Sequence, residues 1–209
     1  MIKEEEEKKG SGLSRREFMK LGGLAATVPM VVGPTVLTVA GEEVAVYGPG
    51  VAQVTLTVNG KPLHLEVEPR VTLLDALREK ADLTGAKRVC DRASCGACTV
   101  LLDGKPVYAC SMLALDAQGR QVTTVEGIST EEQLTALQKA IVENDGQQCG
   151  FCTPGFVVSA TAMLAKHKSP NDEDIRRHMS GNLCRCGTYH GMRAALHQMA
   201  GGNAIGKGA

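Results

Sequence analysis

The stretch that decides the fold is Cys90-Asp-Arg-Ala-Ser-Cys95-Gly-Ala-Cys98-Thr-Val-Leu-Leu-Asp-Gly, followed at position 110 by a fourth cysteine. Its spacing is C-x4-C-x2-C-x11-C. All eight cysteines of the 209-residue chain divide into two such sets, Cys90, Cys95, Cys98 and Cys110, then Cys149, Cys152, Cys184 and Cys186. No thiol is left over. Four thiolates are the full ligand set of one iron–sulfur cluster, so two sets imply a two-cluster electron carrier.

The first set carries the plant-type [2Fe–2S] spacing, in which a tight loop supplies three thiolates and a separate element delivers the fourth. Gly96 and the alanines of the loop let backbone approach the sulfur atoms, where N–H groups raise the potential. Two other readings weigh against this one. An even cysteine count in an exported chain allows disulfides, but Cys95 and Cys98 lie too close along one loop for structural bridges, and a chain of this length buries core enough to need no staples. Zinc is the second, since C-x2-C opens many zinc sites; the x4-then-x2 triplet is unusual for it. In the second set, Gln148-Cys149-Gly-Phe-Cys152-Thr-Pro-Gly and Asn182-Leu-Cys184-Arg-Cys186-Gly, the spacing alone fits zinc as well as iron.

Taken together, Cys-Gly-Ala-Cys-Thr-Val, Gln-Cys-Gly-Phe-Cys-Thr-Pro-Gly-Phe and Ser-Gly-Asn-Leu-Cys-Arg-Cys-Gly resemble the small iron–sulfur subunit of the xanthine oxidase family of molybdenum hydroxylases, over about Val54 to Ala200. The resemblance implies an α+β chain: an N-terminal β-grasp, ferredoxin-like [2Fe–2S] domain, then an all-α domain with a second [2Fe–2S] cluster. It further implies that Gln148 and Cys186 approach the pterin of a molybdenum cofactor held by a large partner subunit. An FAD-binding subunit or another acceptor would take the electrons onward. Aldehyde is the leading substrate class, with a nitrogen heterocycle as the competitor. Relatives carry glycines where this chain has Val89 and Ala93, which leaves ligation intact but bears on loop geometry.

Ser14-Arg15-Arg16-Glu17-Phe18-Met19-Lys20 precedes an uncharged, weakly apolar run from Leu21 to Val39, the pattern of a twin-arginine export signal. The run is long enough for a membrane span, but Gly22, Gly23, Pro29, Gly33 and Pro34 interrupt it. Thr38-Val39-Ala40 offers a cleavage site. Such a route carries folded cargo, as a protein loaded with iron in the cytosol requires, and can carry a docked partner too. The expected destination is the periplasm. The acidic run Glu4 to Glu7 reads as a solvated leader tip.

The expected organisation is leader and linker over 1–50, the ferredoxin-like domain over 51–126 and the helical domain over 127–209. Lys plus Arg and Asp plus Glu are both 23, so no basic field points to nucleic acid. With only three Phe, three Tyr and no Trp, the core falls to Leu, Val, Ala and Ile, and bound metal is expected to help hold the fold. Val54 to Val58 and Leu63 to Val67 read as strands about an Asn59-Gly60 turn. Thr72 caps a helix over Leu73 to Lys80, a second hairpin delivers Cys110, and Val122 to Val125 forms a last strand. Helices follow from Thr130 through Val142, from Pro154 to about His167, from Asn171 or Asp172 to Met179, and from after Gly187 to Met199. The five histidines, His64, His167, His178, His190 and His197, offer no ligand pair in sequence and read as surface residues, with His190 placed to face a partner. Arg185 between two ligands is expected to steady the charge of the bound group, with contact to a neighbouring subunit as the alternative.

Overall fold

The computed structural model describes residues 34–39, 42–129 and 133–201. The twin-arginine segment, the acidic run and the expected helix start at Thr130 lie outside the described residues. Contacts divide the chain at Pro49 into two units. Within the first, β1 (Pro34–Val39) pairs antiparallel with β2 (Glu42–Tyr47). This hairpin was not expected from a leader sequence. Thr38 and Val39 of the expected cleavage site lie in β1, and Ala40 is outside the described residues.

The second unit begins with a five-stranded mixed sheet in the order β4-β3-β7-β5-β6. Strands β3 (Ala52–Val58) and β4 (Lys61–Val67) form the expected hairpin. Asn59 and Gly60 turn it with φ of 51° and 76°, the left-handed pair that matches strand twist. Asp103 and Gly104 repeat this between β5 (Thr99–Leu102) and β6 (Lys105–Tyr108). Short β7 (Gln121–Thr123) sits between β3 and β5, parallel to the first and antiparallel to the second. It stops short of Val125, which opens a 3-10 turn.

Val54, Leu56 and Val58 alternate inward along β3 and meet Leu73, Leu74 and Leu77, all fully buried. Each such side chain contributes about 1.5–3 kcal/mol on leaving water. Thr72 caps this segment, accepting from the Asp75 N–H at 3.1 Å. Only α1 (Leu73–Asp75) is α-helical, however; Ala76–Lys80 widens into a π-helical turn. The local pattern of leucines reads the same for both, so sequence did not distinguish them.

Helices complete the unit: α2 (Ala136–Glu143), α3 (Thr153–Lys166), α4 (Asp172–Met179) and α5 (Tyr189–Met199). The first starts later than expected because Thr135 and Gln138 form a reciprocal capping box, whereas Leu134, counted among its apolar positions, is exposed. The core between the helices holds Leu137, Ile141, Phe156 and Leu196, with Met163, Met179 and Met192. Methionine thus supplies bulk that aromatic scarcity withholds. A third small cluster packs Leu101 of β5 on Val158 and Ala162 of α3, seating the helices on the sheet.

Candidate metal centres

The first cysteine set is built from the loop ahead of β5 and the turn after β6. Cys90 and Cys95 are half-buried, while Cys98 and Cys110 are buried. The thiols fall into two pairs in hydrogen-bond reach, Cys90 with Cys95 and Cys98 with Cys110. Backbone turns the loop outward through left-handed residues Asp91 and Ala93. This aims the Ala93 N–H at Cys110 Sγ, 3.3 Å away, and the Ser94 N–H at Cys90 Sγ, 3.4 Å away. The N–H groups of Arg92 and Ser94 draw the Cys90 thiol down to about 7. Burial pushes Cys98 up to about 12, so an isolated Cys98 keeps its proton unless a cation replaces it.

The second set forms at the mouths of two helices. Cys152 is the N-cap residue of α3, with Pro154 in the first turn, and Cys184 and Cys186 precede α5. Again the thiols pair: Cys149 Sγ lies 3.5 Å from Cys186 Sγ, and Cys152 is in hydrogen-bond reach of Cys184. The Cys149/Cys186 pair is exposed; Cys184 is buried and Cys152 half-buried. Burial raises Cys152 to about 12. Burial also acts to raise Cys184, but the Thr188 hydroxyl, 3.1 Å from its sulfur, and the Thr188 N–H outweigh it and bring the thiol to about 7. Thr188 is the N-cap residue of α5, yet its hydroxyl makes no capping bond; it serves the sulfur instead. The Cys149 thiol is lowered, first by the Phe151 N–H and then by the Cys186 thiol.

All eight cysteines are free thiols. Among the described residues no three His, Cys, Asp or Glu side chains converge as a single ion requires. Two pairs per set suit a two-iron cluster, in which each iron is gripped by two thiolates, better than a tetrahedral zinc, which draws all four donors to one point. The donor set, all sulfur with N–H groups aimed at it, fits the same group.

The two sets adjoin. The Leu183 N–H donates to the Cys95 carbonyl at 2.9 Å, so one hydrogen bond links a first-set cysteine to the residue before Cys184. A cavity of about 360 Å³ between them is lined by Cys95, Cys149, Cys152 and Cys184, with Phe151 and Tyr189. The Tyr189 hydroxyl oxygen accepts the Cys184 N–H at 2.7 Å. Phe151, Leu183 and Val89 are half-exposed around it.

Of the other residues singled out in the sequence, Gln148 is exposed beside the outer thiol pair. Arg185 is exposed, and no hydrogen bond or ion pair holds it among the described residues. The histidines require a correction. His167 and His178 are brought together with Nε2 atoms 3.2 Å apart, although eleven positions separate them in sequence, because α3 and α4 run side by side. Thr188, Tyr189 and Asn182 lie inside motifs of the sequence and Ser159 does not, but nothing local marks that these side chains turn toward the cysteines or across to another segment.

A sheet-and-helix chain with two four-thiol sets, each split into pairs, is a two-cluster iron–sulfur protein. Comparison with known proteins agrees: the 2Fe-2S iron-sulfur cluster binding domain family matches residues 56–124 and the [2Fe-2S] binding domain family matches residues 124–197. The aldehyde oxidoreductase iron-sulfur-binding subunit PaoA of Escherichia coli O157:H7 is 40% identical over 204 residues, 90% of this chain and 89% of that one. The nicotinate dehydrogenase small FeS subunit of Eubacterium barkeri is 43% identical over 143 residues, 68% of this chain and 91% of that one. Among solved structures, quinoline 2-oxidoreductase from Pseudomonas putida 86 superposes with a TM-score of 0.69 at 44% identity, covering 72% of this chain and 93% of the matched one. The chain belongs to the iron–sulfur subunits of the xanthine oxidase family of molybdenum hydroxylases.

Proposed function

We propose that this chain relays electrons from the molybdenum cofactor of a large partner subunit, during oxidation of an aldehyde, to a flavin subunit or other acceptor. The carrying observation is the adjacency of the two cysteine sets, with the exposed Cys149/Cys186 pair at one end and the Leu183–Cys95 hydrogen bond between them. The order is helical domain (127–209) first, then the β-grasp, ferredoxin-like domain (51–126). Bound [2Fe–2S] clusters supply one-electron chemistry. The chain's own residues do the rest. Cys90, Cys95, Cys98 and Cys110 ligate one pair of irons; Cys149, Cys152, Cys184 and Cys186 ligate the other. Ala93, Ser94 and Thr188 donate to ligand sulfurs and thereby bias the potentials upward. Gln148 and Cys186 face the pterin, and both are exposed as that role requires.

Aldehyde rests on the likeness to the Escherichia coli subunit over 90% of this chain. A nitrogen heterocycle is the second reading, favoured by the nicotinate and quinoline enzymes. Residues 1–50 act as a twin-arginine signal and linker, giving a periplasmic enzyme exported folded with its partner.

Iron and acid-labile sulfide analysis of the purified chain should give about four of each, two per cluster. A molybdenum-containing chain should co-purify and oxidise aldehydes. Zinc in place of iron would overturn the reading, and an iron-loaded chain that never meets a molybdenum subunit would leave a free ferredoxin instead.

A further inference from the structure

The segments that carry the two cysteine sets meet around one buried side chain. Asn182, only 3% exposed, uses both ends of its amide. Its Nδ2 donates to the Gly96 carbonyl at 2.9 Å and reaches Thr99 Oγ1 at 3.4 Å. Its Oδ1 accepts from the Ser159 hydroxyl at 2.7 Å. Gly96 lies between Cys95 and Cys98, Thr99 follows Cys98, and Ser159 belongs to α3, which begins just after Cys152. Asn182 itself stands two residues before Cys184.

We propose that Asn182 is the positioning residue that sets the separation of the two cluster sites, and through it the rate of electron passage between them. This rests on the relay reading above. A buried amide that merely satisfied itself would bond to its own turn; here every side-chain bond crosses to another segment, two of them across more than 80 positions. The seam has no slack to absorb a change. A Cβ at Gly96 would lie 2.3 Å from the Gly181 carbonyl, and one at Gly181 would lie 2.1 Å from the Tyr108 hydroxyl, which donates to that same carbonyl at 3.0 Å. With backbone in contact on both sides, the amide's length defines how far the two loops stand apart. Tunnelling rates fall exponentially with distance, so a small shift here is read as a rate.

Asn182→Asp tests this. It keeps the shape and the acceptor for Ser159, but turns a carboxylate oxygen onto the Gly96 carbonyl and loses the donor. In the assembled enzyme, iron and sulfide should stay at the wild-type content while the magnetic splitting between the two reduced centres shrinks and internal electron redistribution after rapid mixing slows. Ser159→Ala, which removes only the other bond, should change both readouts in the same direction by less. Wild-type splitting and rate in Asn182→Asp would overturn the proposal. Should that variant shed a cluster, Ser159→Ala decides: reduced splitting supports the proposal and unchanged splitting overturns it. Failure of the relay reading is seen separately, as missing iron in the unmodified protein or as an iron-loaded chain with which no molybdenum subunit co-purifies.

Discussion

Ala93 holds a φ of 55°, a conformation that costs a side chain with a Cβ about 1–2 kcal/mol relative to glycine. The strained backbone is what turns its N–H toward Cys110 Sγ. Glycine at this position would relieve the strain, less the entropy it forfeits on folding. Ala93→Gly should therefore raise the stability of the loaded protein by about 0.5–1 kcal/mol in a urea titration, with both cluster spectra kept; a fall in stability would show that the loop holds no such strain. Cys152→Ser separates ligation from helix formation, because serine is a good N-cap and α3 starts at the next residue. Low-temperature electron paramagnetic resonance should lose the second-set signal and keep the first. If both survive, Cys152 is not a ligand.

At the level of elements, α4 is a short helix with both ends chosen by sequence. Asn171 accepts from the Asp174 N–H at 2.9 Å, and Asp174 accepts from the Asn171 N–H at 3.1 Å. Acidic residues fill the first turn and basic ones the last, in keeping with the helix dipole. Asn171→Ala should cost about 1 kcal/mol in chemical denaturation. The contact of α4 with the end of α3 carries a pH dependence. His178 is held below its ordinary value first by burial, then by the positive charges of His167, Lys166 and Arg177, against which Asp174 acts weakly. A histidine with a folded value below its unfolded one binds its proton more readily when unfolded. Its contribution is thus fully present above about pH 6.5 and is lost as pH falls from there through the lower folded value. His178→Gln should flatten the stability profile of the holoprotein in that window, leaving the neutral-pH end nearly unchanged. A profile as steep as before would place the titration elsewhere. Such pairs are hidden in sequence because they depend on how two helices lie, whereas caps such as Asn171 and Pro154 are local. Even a local signal can go unread: Thr135-x-x-Gln138 builds a capping box, yet the Thr130-Glu-Glu run ahead of it reads as the more obvious helix start.

For the molecule as a whole, the hairpin turns and the helix starts at Asn171 and Pro154 were legible because each is decided within a few residues. The seam between the two cysteine sets was not. It depends on bonds such as Asn182 to Gly96 across 86 positions and on glycines whose need is set by a neighbour rather than by their own backbone. Gly96 looks from sequence like room for sulfur, yet its missing Cβ makes room for the Gly181 carbonyl. Gly155 makes the same point more sharply. It sits in the first turn of α3, and its φ lies outside the left-handed range, so helix propensity alone favours alanine there by about 1 kcal/mol. A Cβ at Gly155 would nonetheless lie 2.3 Å from the Gly96 carbonyl and 3.1 Å from Asn182 Nδ2. Both are backbone or fully bonded, with nothing flexible to give way. Gly155→Ala should then destabilise the holoprotein by about 1–3 kcal/mol, the usual cost of overpacking, in place of the gain that propensity promises. The sign is the measurement. Destabilisation in a urea titration means that helix and cluster loop press together as described, and stabilisation means that they stand apart.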